Sequence, residues 1–396
     1  MATFHHIMRK GISTRCVHAG EAPEPVTGAI GTPIFQNTTY LYPNPDRPRP
    51  DDARVGDYYI YSRYNNPTVE ALERKVADLE GAEAAVAFAS GMAAISTTLL
   101  TLAGQGGHIV SARDLYGGTY QLMRDLLPPL GIEVTFVDTR DTEAFWDAIG
   151  PDTRLVYCES ITNPVLKVAD IPALADVAHD KGLPLVVDAT FATPVNQNPL
   201  SLGADVVVHS GTKYIGGHSD VTGGLVATDD GRAHDLRERM AFHGGCMDPT
   251  AAWLMMRGLK TLEVRVARQN ESARWLADWL EGQDRIVSSL HPELESHPDH
   301  DVAQRVLRAG GGMVTFDLGD LEACHRCLEA FEVITVASSL GGVESLVSLP
   351  VETSHWELDA AERGGLGISD GHVRLSVGIE DLSDLMSDLE RGLQRV

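Results

Sequence analysis

From Asn66 onward the apolar positions fall into two alternating rhythms. In NPTVEALERKVADLEG, Pro67 stands at a helix start, Val69, Leu72, Val76 and Leu79 recur at helical spacing, and Gly81 supplies a stop. Short runs follow in which apolar residues are nearly continuous: AAVAFA, HIVSA, EVTFVD, RLVYCES, PLVVDAT and ADVVVHS. Strands covered by helices on both faces of a sheet read this way. Between them lie helix-like stretches such as IPALADVAHDKG. The pattern predicts an α/β fold with a mostly parallel sheet flanked by helices, its ligands at the carboxyl ends of the strands.

The flanking regions read differently. Residues 1–62 are rich in Pro, Gly and Tyr, with PNPDRPRPDD in the middle and no sustained periodicity, which predicts an extended arm. The stretch TAAWLMMRGLKTLEVRVARQNESARWLADWLE predicts one long helical region joining two domains. Beyond it, GMVTFDL and HVRLSVGIE read as strands, and DLSDLMSDLERGL as a helix with Leu382, Leu385, Met386 and Leu389 on one face. The expected organisation is an arm (1–62), a ligand-binding large domain (63–255) and a smaller C-terminal α/β domain (256–396). A chain of 396 residues exceeds the size at which a single core stops growing.

Charge narrows the partners. The formal net charge of −24 repels phosphate backbones and anionic lipid, which argues against nucleic acid. No apolar run approaches the roughly 20 residues a membrane helix requires, and MATFHHIMRKG lacks the apolar stretch of a signal peptide, so a cytoplasmic protein is expected. Five scattered cysteines do not make a disulfide framework. Cys324 and Cys327 form a C-x-x-C inside LEACHRCLEAF, an amphipathic helix with no second ligand pair nearby. The three histidines of HPELESHPDH (His291, His297, His300) lie among prolines and acids typical of a solvated loop. Metal binding is expected at neither place.

The most informative segment is ADVVVHSGTKY, where a buried strand runs through Ser210 and Thr212 to deliver Lys213 at its carboxyl end. Alone, a lysine is most often a solvated charge; beside hydroxyls that can bond a phosphate, it fits a Schiff-base lysine. LPLVVDATF places Asp188 at the end of its own strand, where a buried carboxylate needs a partner such as a protonated pyridine nitrogen; capping the next turn is the alternative. In AAVAFASGMAAI, Ser90, Gly91 and Met92 open a helix whose unpaired N–H groups suit a phosphate. Tyr116 in LYGGTY could lie across a flat cofactor or be an ordinary half-buried tyrosine. Asn163 in ESITNP could bond a ring oxygen or begin an Asn-Pro turn. Arg374 in HVRLSVG needs either a substrate carboxylate or a structural salt bridge.

With these parts in view, the chain resembles the Cys/Met-metabolism (trans-sulfuration) family of fold-type I PLP-dependent enzymes over nearly its whole length. The resemblance is carried by TGAIGTPIFQNTTY, YSRYNNPT, FASGMAAI, LYGGTY, ESITNP, VVDATF, HSGTKYIGGHSD, RGLKTL, SLGGVESL and VRLSVGIED. It implies a fold-type I PLP-dependent transferase fold with a seven-stranded-type sheet, and pyridoxal 5'-phosphate as cofactor. It further implies that Lys213 holds the cofactor covalently, Asp188 pairs with the pyridine nitrogen, Tyr116 stacks on the ring, and Gly91, Met92, Ser210 and Thr212 bind the phosphate. Tyr61 and Arg63 would reach the phosphate of a neighbouring subunit, in a homotetramer built as a dimer of dimers. Ser339 and Arg374 match positions that hold the substrate carboxylate, and Glu344 an acid that faces a distal ammonium. The implied reaction is γ-elimination or γ-replacement on sulfur amino acids, of the cystathionine γ-lyase or γ-synthase type; methionine γ-lyase or O-acetylhomoserine sulfhydrylase is the near alternative and an aminotransferase the distant one. Ile60 stands where cystathionine enzymes usually carry an acid, Gly118 where methionine γ-lyases carry a cysteine, and TSHW where many relatives have MTH.

Overall fold

The computed structural model describes residues 10–42 and 58–396; PNPDRPRPDD and the N-terminal MATFHHIMR lie outside the described residues. Seven strands form one sheet: β1 (Ala84–Phe88), β2 (His108–Ala112), β3 (Glu133–Val137), β4 (Thr153–Glu159), β5 (Leu185–Asp188), β6 (Val206–Ser210) and β7 (Gly224–Thr228). Their order is β1-β7-β6-β5-β4-β2-β3. Successive side chains of a strand point to opposite faces, and both faces are covered. Val86 and Phe88 of β1 enter one core with Val206 and Val208 of β6, while Ala85, Ala87 and Val207 enter the other. This two-sided burial is why the strands read as unbroken apolar runs.

Strand β7 pairs antiparallel with both β1 and β6. The chain reaches it from β6 through residues 211–223 without a crossover helix, and so direct a return reverses the strand direction. The remaining pairings of β2 through β6 are parallel. The carboxyl ends of β1, β2, β4, β5 and β6 therefore share one edge. Ser90, Tyr116, Glu159, Asp188 and Lys213 lie at or just beyond it.

A second sheet comprises β8 (Ser288–Leu290), β9 (Met313–Asp317), β10 (Thr335–Val336), β11 (Leu346–Ser348) and β12 (His372–Ser376), in the order β10-β11-β12-β9-β8. Leu276 and Leu280 of the helix Leu262–Glu281 and Leu385 and Leu389 of the helix Leu382–Leu393 pack on it. Cys324 and Cys327 are buried in this core, and burial pushes both thiols up to about 12.

Three expectations change. The region predicted as one helix is two, Pro249–Leu259 and Leu262–Glu281, because Thr261 leaves helical backbone at φ −114° and ψ 9°. The buried Arg265 guanidinium satisfies the break, donating to Gly258 O at 2.9 Å and to Tyr214 O at 2.8 Å; the break thus braces the residue after Lys213. Secondly, His291 and His297 are not solvated: they are 0% and 3% exposed. Their Nδ1 atoms accept the N–H groups of Glu293 and Asp299, and burial holds both imidazoles neutral, His297 down to about 4. Among the described residues no group of His, Cys, Asp or Glu is arranged to hold a metal ion. Thirdly, the N-terminal arm contains a helix, Ile12–His18, that its composition hid. Buried Lys75 pins this segment, donating to Cys16 O at 2.9 Å and pairing with Glu21 at 3.1 Å.

Candidate active site

The strand edge opens into a cavity of about 620 Å³, lined from both sheets, within the size range of small-molecule sites. Its base is the β4–β5 pair. Glu159 and Asp188 end these strands side by side in register, both buried. Both Thr190 bonds to Asp188 go to Oδ1, from N at 2.9 Å and Oγ1 at 2.5 Å, so Oδ2 is left for the cavity. Burial raises the Asp188 carboxyl against the pull of those bonds; burial and then the charge of Asp188 raise Glu159 strongly. Two adjacent buried carboxylates call for a cation between them and the cavity.

One wall is the helix Gly91–Ala103. The Ser90 hydroxyl takes the N–H of Ala93 at 3.1 Å, which leaves those of Gly91 and Met92 for a ligand. A Cβ on Gly91 would stand 3.0 Å from Ser210 Oγ, so only glycine brings this helix start against the β6 hydroxyls. Thr212 and Gly223 tie the loop after β6 together through reciprocal bonds of 3.3 and 3.1 Å.

From that loop Lys213 extends its amine to Ser339 Oγ at 2.9 Å. Burial and then the Arg374 charge lower the amine to about 8. Ser339 holds φ +96°, a backbone conformation that costs about 1–3 kcal/mol in a non-glycine residue and here aims its hydroxyl at Lys213. Arg374, in the middle of β12, donates to Asn163 Oδ1 at 3.1 Å and to Ser339 O at 3.0 Å. Its Nε is buried without a partner, and among the described residues no carboxylate pairs with it. The structural-salt-bridge alternative therefore fails. Burial lowers this guanidinium to about 10.

Tyr116 donates its N–H to Glu159 at 2.6 Å and presents its side chain, 47% exposed, to the cavity. A Cβ at Gly118 would lie 2.7 Å from its ring, so Gly118 is where the Tyr116 ring rests. Thr353, Ser354 and Trp356 of TSHW form the rim.

The cavity thus gathers Lys213, Asp188, Tyr116, Asn163, Gly91, Met92, Ser210, Thr212, Ser339 and Arg374. It does not gather Tyr61, Arg63 or Glu344. Arg63 donates to Ala241 O at 2.8 Å and lies over the Tyr64 ring, and Tyr61 is 41% exposed. The Glu344 carboxylate takes the Ser219 hydroxyl away from this cavity. Glu159 and Thr190 were missed by the sequence reading, although Glu159 ends an apolar strand just as Asp188 does, and that shared position was a usable signal.

These donors fit pyridoxal 5'-phosphate: an amine of lowered basicity, a buried carboxylate with a free oxygen, and a phosphate-sized cradle that a Cβ at Gly91 would fill. Because burial disfavours the charged amine, the reactive free base of Lys213 forms at lower pH than in an ordinary lysine. Reductive methylation of Lys213 in cofactor-stripped protein, followed by mass spectrometry, is expected to reach half its maximal rate near pH 8, with Arg374→Ala moving that midpoint upward; a midpoint near 10.5 contradicts the assignment.

Known proteins resemble the chain over nearly its whole length. The family model described as Cys/Met metabolism PLP-dependent enzyme matches residues 13–394. The chain is 43% identical over 389 residues to cystathionine γ-lyase of Bacillus subtilis, covering 97% of this chain and 99% of the relative. It is 42% identical over 395 residues to cystathionine β-lyase of Coxiella burnetii, covering 99% and 100%. The crystal structure of metB from Corynebacterium glutamicum superposes with a TM-score of 0.92 at 40% identity, covering 98% of both chains.

Proposed function

The chain belongs to the Cys/Met-metabolism family of PLP-dependent enzymes, and on that premise we propose that it eliminates or replaces the γ-substituent of a sulfur amino acid, with cystathionine the leading substrate. The observation that carries this reading is the meeting of Lys213, Ser339 and an Arg374 that has no carboxylate of its own. An amino-acid carboxylate supplies what Arg374 lacks, and a bidentate contact fixes Cα beside the Lys213 amine.

When bound, pyridoxal 5'-phosphate supplies an electron-withdrawing ring that makes loss of the Cα proton feasible. The Gly91 and Met92 N–H groups with Ser210 and Thr212 would hold its phosphate, and Asp188 Oδ2 its ring nitrogen. Lys213 Nζ takes the Cα proton, its basicity near 8 suiting it to both accept and return one. Having given up that proton, Lys213 Nζ takes a second one from Cβ, and Tyr116 Oη gives its proton to the sulfur that leaves Cγ. Ser339 and Arg374 keep the carboxylate still throughout.

Lys213 and Asp188 belong to this chain, whereas Tyr61 and Arg63 point out of its cavity, so we assign the latter pair to a neighbouring subunit's phosphate in a dimer-based tetramer. Exposed apolar residues on the same arm, Val26, Ile30 and Leu41 at 88%, 87% and 70%, support an arm that lies on another subunit. The buried free thiols Cys16, Cys158, Cys324 and Cys327 support a reducing, cytoplasmic setting.

Incubation of the holoenzyme with cystathionine tests the reaction. Release of 2-oxobutanoate with cysteine is expected; pyruvate with homocysteine places the cleavage at Cβ and overturns the γ assignment. Methionine and O-acetylhomoserine, each with and without added thiol, complete the comparison. Arg374→Ala is expected to raise KM for whichever substrate is turned over by about tenfold to a hundredfold, the cost of a lost charge-assisted bidentate contact.

A further inference from the structure

Among the described residues, Glu159 is the one buried acid lining the cavity to which the proposed reaction gives no task. It ends β4 side by side with Asp188, and a second carboxyl buried there is costly to place. Its bonds go to backbone. It accepts the Tyr116 N–H at 2.6 Å, and the Asn163 N–H bonds the same carboxyl. Glu159 thereby ties the end of a sheet strand to the two loops that carry Tyr116 and Asn163.

Tyr116 stands where the chain turns from β2 into the helix Gly117–Gln121, as its N-cap at φ −51° and ψ 132°, and its side chain does not cap that helix. Its ring is nearly half exposed and rests on Gly118, so packing leaves it room to swing. Two residues earlier, Asp114 anchors the approach, accepting from Thr139 Oγ1 at 2.9 Å and pairing with Lys167 at 2.9 Å. The Glu159 bond acts at Tyr116 itself. It fixes the peptide plane before Cα and hence the direction in which the side chain leaves the backbone.

We infer that Glu159 is a positioning residue: by holding the Tyr116 N–H from the end of β4, it aims the Tyr116 hydroxyl at the group that leaves the substrate. The inference rests on the proposed role of Tyr116 as proton donor and deepens it, and it holds whether the sulfur departs from Cβ or Cγ. Burial and then the Asp188 charge favour the protonated form of Glu159, whose carbonyl oxygen still accepts the Tyr116 N–H. Glutamine reproduces that neutral, accepting group.

The test measures kcat on whichever sulfur amino acid the holoenzyme turns over, with binding of the unreactive analogue norleucine beside it. Glu159→Met, of similar length but without the accepting oxygen, is expected to lower kcat by about tenfold to a hundredfold, the cost of a misplaced reacting group, whereas Glu159→Gln stays within about threefold of wild type. In a Tyr116→Phe background the donor hydroxyl is already gone, and Glu159→Met should cost less than about threefold more. Norleucine affinity should move less than about threefold throughout. The visible circular dichroism of the bound cofactor should change in Glu159→Met and return in Glu159→Gln. A full additional loss in the Tyr116→Phe background, Glu159→Gln as impaired as Glu159→Met, or norleucine affinity falling in step with kcat would each overturn the positioning role. Glu159→Ala repeats the cycle if the Glu159→Met protein does not fold. Pyruvate in place of 2-oxobutanoate sinks the γ assignment and leaves this role standing; 2-oxobutanoate with additive losses gives the reverse. If no sulfur amino acid is turned over, the dichroism decides, and an unchanged signal in Glu159→Met overturns the role.

Discussion

Lys213→Ala lowers turnover of every accepted substrate by at least about 10²–10⁴, the contribution of a positioned general base alone. It also releases the cofactor's visible absorbance to gel filtration, because the covalent link is gone. Lys213 sits at 2.9 Å from Ser339 Oγ, beside an Arg374 that lowers its basicity, and among the described residues no second lysine lines the cavity to take over. Truncation removes neither Arg374 nor the Gly91–Met92 helix start, so norleucine affinity should change far less than kcat. That split separates loss of a proton carrier from collapse of the site. Lys213→Cys alkylated with bromoethylamine rebuilds an amine of nearly the same length, and partial recovery of kcat is the confirming result. A Lys213→Ala protein that keeps both its colour through gel filtration and its turnover would falsify the assignment.

Much of this was legible in the chain because the signals were local. Apolar runs such as PLVVDAT ended on the residues that line the site, since a parallel sheet places all its carboxyl ends together. What was not legible came from long-range packing. Nothing in RGLKTL announces a helix break, which depends on Arg265 finding Gly258 O and Tyr214 O. The histidines at 291 and 297 look solvated among prolines and acids, and only the fold supplies the backbone groups that let them be buried neutral. Strand β7 has no pattern that sets it apart from its loop; its direction follows from the absence of a crossover. Glu344 and Glu352 lie eight positions apart, and of the two it is Glu352 that lines the cavity. The constraint on Ser339 was invisible too, because a positive φ is a property of the loop that meets Lys213.

Asp188→Asn separates stability from function in opposite directions. In the cofactor-free protein Asp188 and Glu159 face each other across β4 and β5, both buried, and burial together with the Asp188 charge raises Glu159 strongly. The asparagine side chain keeps an oxygen for the two Thr190 bonds, which both use Oδ1, and removes the negative charge. Relief of that repulsion is expected to raise the melting temperature of the stripped protein by roughly 1–3 °C. The holoenzyme loses instead. An amide cannot balance a protonated ring nitrogen, so cofactor affinity should fall by about tenfold to a hundredfold, the worth of a charge-assisted hydrogen bond. Turnover should fall further, because the ring then draws electrons less strongly. The sign on pH follows from the raised Asp188 pKa: the carboxylate needed for the cofactor is lost as pH falls through a value above the ordinary 3.8, so wild-type cofactor retention weakens on acidification earlier than an exposed aspartate would allow, and the Asn variant loses that dependence. Parallel melting curves of stripped and loaded protein, wild type against Asp188→Asn, read both effects. If the substitution destabilises the stripped and loaded forms alike, Asp188 is a structural residue and the strain assigned to the β4–β5 pair is not stored for the cofactor.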